Sequence, residues 1–246
     1  MDLTSWLEQI MVGFGAGWVM WLLLFLSVVS VAIILERAWF FNSLRDDLTQ
    51  LAGDLRKALG DSVEAARKRM SASPSAEAAV VLAGLALHNR GADAAEEAMA
   101  GAAALQRMKL EKRLAYLATV GNNAPFIGLF GTVIGVVGAF KALGEQSQVP
   151  VAEAAQVAIA PQQVMSSISE ALVATAVGIA VAIPAVAANN YFQRSTKRVL
   201  ANTEALSKVL LAHLKSVPAD DDPSGAEDEP KDARGKSRKQ RSRGDD

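Results

Sequence analysis

The sequence predicts an all-α integral membrane protein with three transmembrane helices and long cytoplasmic helical extensions, N-terminus out and C-terminus in. Three observations predict it. The first is the spacing of charge. No Asp, Glu, Lys or Arg falls in the 27 positions between Glu8 and Glu36, nor in the 27 between Arg113 and Lys141. The 40 positions between Glu153 and Arg194 carry only Glu170. A helix of such a length reaches about 40 Å, enough to cross a hydrocarbon core of about 30 Å. The second is composition: 51% of the 246 residues are apolar, and the charges are segregated from them. An ordinary soluble enzyme is excluded. The third is the placement of cations. Of 25 Lys and Arg, 12 lie between Glu36 and Ala115, 12 from Tyr191 onward, and one, Lys141, between the second and third stretches. By the positive-inside rule the two cation-rich segments are cytoplasmic. The net charge of −1 conceals this asymmetry.

Residues 1–16 read as a periplasmic N-terminal amphipathic segment. The first span follows at 17–36. Its leading stretch carries Asp2 and Glu8 without a basic residue, and its apolar run is long, so it reads as a permanent span and not a cleaved signal peptide. Trp18 and Trp21 fall at its outer end, and Trp39, Phe40 and Phe41 at its inner end, where interfacial aromatics are expected. The stretch 37–113 is a cytoplasmic helical domain rich in good helix formers. It is broken at Ser71–Glu77, with Ser73 or Ser75 as a cap, and again near Asn89–Gly91. From Ala92 the helical pattern runs into the second span, 114–140, without a turn signal at Lys112, which predicts one uninterrupted helix. A short periplasmic connection, 141–163, leads to the third span, 164–192, and to a cytoplasmic helical extension, 193–217. Val199, Leu206, Val209, Leu210 and Leu214 recur there at helical spacing, so span and extension predict a single helix of about 50 residues or more, close to ~80 Å. The tail 218–246, acidic and then basic, lacks apolar periodicity and reads as a disordered, solvated tail with no nucleic-acid partner.

Chemistry-bearing residues are sparse. Cysteine is absent, and His88 and His213 lie far apart outside the spans, each reading as a helix-surface residue. No nucleophile–base or metal constellation is present, so neither enzyme nor cofactor is expected. In the second span Gly121, Ala124, Gly128, Gly131, Gly135 and Gly138 form one stripe, which in lipid favours close helix packing. Thr132 sits beside it, and Asn122, Asn123 and Pro125 lie near its cytoplasmic end. In the third span Glu170 is an ionisable group inside the hydrocarbon or at its outer edge, expensive by about 2–3 kcal/mol or more unless it faces an interior or water. Two readings stay open for it: a proton-exchanging group, or a neutral packing residue at a subunit seam. Thr175 follows, with Gly178 and Ala182 at small-residue spacing. The polar run from Gln162 to Ser169 suggests a partly wet outer end.

The segments GNNAPFIGLFGTVIGVVGAF (121–140) and ISEALVATAVGIAVAIPAVAANNYF (168–192) resemble the ExbB/TolQ/MotA group of proton-channel subunits, nearest its ExbB/TolQ branch. The resemblance covers both later spans, the topology, the large cytoplasmic segment and the tail. It implies a subunit of a bacterial inner-membrane motor that converts proton motive force into mechanical work. It also implies a homopentamer whose second and third spans line a pore. Two copies of an ExbD/TolR-type single-span protein would sit there, each supplying a transmembrane aspartate, and a TonB/TolA-like or other envelope effector would receive the work. By the same resemblance Thr132, Thr175 and Glu170 face the proton path. Residues 161–170 are longer than the usual link and the tail is unusual, which leaves nutrient import, Tol-type envelope maintenance and gliding motility all open. Two rival classes fare worse. A secondary transporter would show more spans and internal repeats; a passive scaffold would not need Glu170 or the threonines.

Overall fold

The computed structural model describes residues 17–146 and 160–216. The expected amphipathic segment 1–16, the centre of the connection and the tail 218–246 lie outside the described residues. The elements are α1 (Gly17–Ser43), α2 (Leu48–Asp61), α3 (Val63–Ser71), α4 (Ala76–Ala86), a 3-10 turn at His88–Arg90, α5 (Ala92–Glu111), α6 (Leu114–Gln146) and α7 (Ala160–Ser216). Among the described residues every regular element is helical. Three helical stretches, containing α1, α6 and the first half of α7, are long and apolar enough to cross a membrane.

Two main cores are strung on α7, with a smaller cluster between them at Phe192. In the membrane bundle, Val19 and Leu23 of α1 pack against Ala124 and Ile134 of α6 and Val181, Ala182 and Ala185 of α7. In the head domain, Leu51, Leu55 and Leu59 of α2 occupy one helical stripe and meet Met70 of α3, Val80, Val81 and Leu85 of α4, and Met99 of α5. Leu206 and Leu210 of α7 close that core. At 57 residues, α7 is about 85 Å long and belongs to both. The long helix that the periodicity predicts is present, and it runs continuously from the bundle into the head.

Local chemistry sets the short helices of the head. The Asp47 carboxylate accepts the backbone N–H of Thr49 at 2.8 Å and of Gln50 at 3.3 Å, starting α2. Ser62 accepts Ala65 N–H at 3.0 Å and Ser75 accepts Ala78 N–H at 3.2 Å, starting α3 and α4. These caps satisfy amides that the first helical turn leaves free. Gly91, at φ +96°, turns the chain into α5, a conformation that suits glycine.

One expectation fails. The helix from Ala92 does not run unbroken into the second span: it stops at Glu111, and Arg113 adopts φ +64° before α6 begins. The cause lies in α1. Arg37, only 2% exposed, donates from Nη2 to the carbonyls of Leu110 and, at 3.2 Å, Lys109. It thereby caps the negative end of α5. Its guanidinium lies 4.5 Å from the centroid of Phe40, and neighbouring Glu36 pairs with Arg113. Phe41 stacks on Phe192 of α7 at 5.4 Å, in a cluster with Leu110, Leu114 and Leu117. The break is held by contacts more than 70 residues apart.

A second buried charge sits in the head. Glu77, 8% exposed, accepts a hydrogen bond from Asn202 Nδ2 at 3.4 Å. Burial holds its carboxyl above the usual carboxylate range. Its own backbone N–H and Asn202 oppose that shift, and Asp46 adds to it. A raised acid contributes stability at low pH that is lost as pH rises through the raised value.

Three outcomes follow for thermal unfolding of the detergent-solubilised full chain. Arg37→Leu, which orphans two carbonyls, lowers stability by about 1–3 kcal/mol. Arg113→Val costs more than Arg113→Gly, because both lose the ion pair but only valine resists positive φ. Glu77→Gln raises the midpoint at neutral pH, and that gain shrinks as the buffer is acidified.

Candidate functional site

The candidate site is the seam between α6 and α7, and it begins with glycine. The two helices are antiparallel and nearly in backbone contact. A Cβ at Gly128 would lie 2.7 Å from the carbonyl oxygen of Ala174 and 3.0 Å from Cα of Thr175. One at Gly178 would lie 2.6 Å from the carbonyl oxygen of Ala124. Gly135 meets Ala171 and Ser167, and Gly121 meets Val186, at comparably short range. Gly131 faces both Ala174 and Val19 of α1. Gly138, expected in the same stripe, meets no described atom within 4 Å. Ten residues beyond Gly128, it has drifted about 80° around the helix and off the seam.

The seam has two flanks, and α1 occupies one. There Val19 touches Gly131, and Gly17 and Met20 line a cleft of about 370 Å³ with Ser166, Ser169, Glu170 and Val173 of α7. Glu170 is exposed in this cleft at the end remote from the head. Thr175, five residues on, points about 140° away from Glu170 around α7. Thr132 is rotated about 100° from Gly131, the glycine that faces α1. In the antiparallel register both threonines therefore turn toward the flank that α1 leaves open. The structure brings Thr132 and Thr175 to one side of the seam and sets Glu170 on the other.

The threonine hydroxyls of α6 and α7 differ in what they bond. Thr132 Oγ1 donates to the carbonyl of Leu129 at 2.7 Å. Thr119 and Thr203 donate to the carbonyls four residues earlier, at 2.9 Å and 2.8 Å. Thr175 makes no such bond: its Oγ1 is buried without a partner. An unsatisfied buried hydroxyl costs about 1–3 kcal/mol, which sets Thr175 apart from Thr132. Nearer the head, Asn123 Nδ2 donates to the carbonyl of Thr119 at 2.8 Å, and Pro125 and Pro184 each remove a backbone donor from the helix interior. Asn189 and Thr196, given no role from the sequence, are buried on α7. Their signal was present: Thr175, Ala182, Asn189, Thr196 and Thr203 recur every seven residues, a period that drifts only about 20° around the helix at each step. Among the described residues no group of three or more His, Asp or Glu could hold a metal ion.

A sequence profile of the MotA/TolQ/ExbB proton channel family matches residues 72–205, which include α4, α5, α6 and most of α7. The chain belongs to the MotA/TolQ/ExbB proton channel family. It is 32% identical over 176 residues to an ExbB-like biopolymer transport protein of Helicobacter pylori, covering 71% of this chain and 76% of that one. Identity to the biopolymer transport protein ExbB of Xanthomonas campestris is 29% over 212 residues, 79% of each chain. With the Tol-Pal system protein TolQ of Pseudomonas aeruginosa it is 41% over 103 residues, 42% of this chain and 40% of that one. These relatives set it on the ExbB/TolQ branch of the MotA/TolQ/ExbB family. The chain is accordingly a multi-pass membrane subunit of the energy-transducing, proton-channel type.

The seam predicts a sharp contrast between glycines. Gly128→Ala and Gly178→Ala drive a methyl into backbone atoms, and each lowers the unfolding midpoint of the detergent-solubilised chain, by about 1–3 kcal/mol. Gly138→Ala, with open space around it, leaves the midpoint unchanged or slightly higher.

Proposed function

We propose that this protein is the stator-type proton-channel subunit of a bacterial inner-membrane motor, with its head domain in the cytoplasm and its N-terminus outside. Copies of the chain assemble as a homopentamer around a pore. Two ExbD/TolR-type single-span partners occupy that pore and supply the titrating aspartate. Proton flow past the seam does mechanical work on an envelope effector, of TonB or TolA type or serving gliding motility. Thr132 and Thr175 line the path, and Glu170 stands at its outer mouth, in the cleft against α1.

The observation that carries the reading is the buried, unpartnered hydroxyl of Thr175 on the flank that α1 leaves free. A proton path in hydrocarbon needs hydrogen-bonding groups that the protein has not already used. Two further features support it. The second and third spans contain no aspartate and only one carboxylate, Glu170, which lies across the seam from the threonines, so a relay built on a carboxylate at the path needs a partner to supply it. The outer faces of α6 and α7 expose Phe126, Leu129, Val133, Leu172 and Ile183, which suit lipid or neighbouring subunits.

The test is proton-driven function in cells, measured beside partner co-purification for the same variants. Thr175→Val and Thr132→Val preserve packing while deleting one hydroxyl each. Assembly survives, and gradient-driven work falls by tenfold or more, the scale of about 1.4 kcal/mol at the rate-limiting barrier. Glu170→Gln, which keeps size and hydrogen bonding but not charge, reduces work less than Thr175→Val. Wild-type function of both valine variants with partner bound removes the assignment.

A further inference from the structure

We infer that the cavity where α5, α6 and α7 meet binds the phosphate headgroup of an anionic phospholipid in the leaflet facing the head domain. The cavity holds about 600 Å³ and is lined by Arg107 of α5, Leu114 and Ala115 of α6, and Gln193, Thr196, Lys197 and Leu200 of α7. It lies where the charge-free run of α6 begins and that of α7 ends, at the level of a lipid headgroup. Four features of this cavity point to one ligand chemistry.

The first is cationic charge. Lys197 has no ion-pair partner among the described residues. Arg107 bonds Glu111, which also lines the cavity, at 2.9 Å, and both side chains are about half exposed. Exposed pairs of this kind contribute little, so the guanidinium is available to a stronger anion. The second is an unmet hydrogen bond. Thr196 is 3% exposed, and its Oγ1 has no partner. Thr203, seven residues further along the same face, donates instead to Val199. A phosphate oxygen or its bound water would satisfy what the helix does not. The third is the wall of Leu114, Ala115 and Leu200, which suits glycerol and the first acyl carbons but offers nothing to a hydrated soluble ion. The fourth is position: basic pockets between transmembrane helices at an anionic leaflet are where acidic headgroups are held. The site is separate from the glycine seam and does not depend on the proton path.

Delipidated full-length protein in neutral detergent is titrated with phosphatidylglycerol, phosphatidylcholine or inorganic phosphate. Bound lipid is counted by native mass spectrometry, and the unfolding midpoint is followed. Phosphatidylglycerol is retained and raises the midpoint, whereas phosphatidylcholine and inorganic phosphate do neither. Lys197→Gln weakens phosphatidylglycerol binding about fivefold, the weight of one basic side chain at an anionic surface. Thr196→Val weakens it without a change in charge, and Lys57→Gln, on the exposed face of α2, has no effect. Equal retention of phosphatidylcholine, stabilisation by inorganic phosphate alone, or unchanged binding in both cavity variants overturns the proposal.

Discussion

The close approach of α6 and α7 is the constraint on which the rest of the bundle depends. Lipid supplies almost no hydrophobic force between helices, so packing rests on van der Waals contact and on polar groups that find partners. Here the contact is backbone on backbone, possible only because Gly121, Gly128, Gly135 and Gly178 have no Cβ. One added methyl at Gly128 or Gly178 meets a carbonyl, not a side chain that can swing away. The seam therefore has little room to slide or splay, and it fixes which way every other residue of the two helices points.

Once the seam is fixed, its flanks acquire different chemistry. α1 buttresses one, touching Gly131 and lining the Glu170 cleft, and leaves the other uncovered. The uncovered flank carries Thr132 and Thr175, and Thr175 is the hydroxyl that the helix fails to satisfy. Separation of Glu170 from the threonines is a consequence of helical phase, because no rotation of α7 brings residues five apart to one face. The single helix that carries both then continues into the head, where Leu206 and Leu210 lock it to the core of α2–α5. One helix thus joins the seam to the head without interruption.

Much of this was legible in the sequence. Charge-free stretches and cation clusters indicate the spans, and the 3-4-3 glycine spacing indicates a close-packed stripe. The run from Val199 to Leu214 indicates that α7 continues beyond the membrane. What escaped the sequence depends on contacts distant along the chain. The break at Arg113 has no local signal, since α1 imposes it through Glu36 and Arg37. Glu77 looks like an ordinary first-turn glutamate until α7 covers it with Asn202. Gly138 belongs to the stripe by spacing, yet the seam has turned away by then. Periodicity reports which residues share a face, but not what lies against that face.

If protons pass along the seam as proposed, the flank opposite α1 is wet in the working complex. The chain has no cysteine, so single cysteines can be placed without background. Modification of Thr132→Cys, Thr175→Cys and Val133→Cys by a small hydrophilic thiol reagent, in the assembled complex in native membranes, is the most direct measurement. Rapid modification is expected at 132 and 175 and little at 133, which lies among the exposed apolar residues of α6. Slow modification at both threonine positions, with the complex intact, would contradict the proposed path.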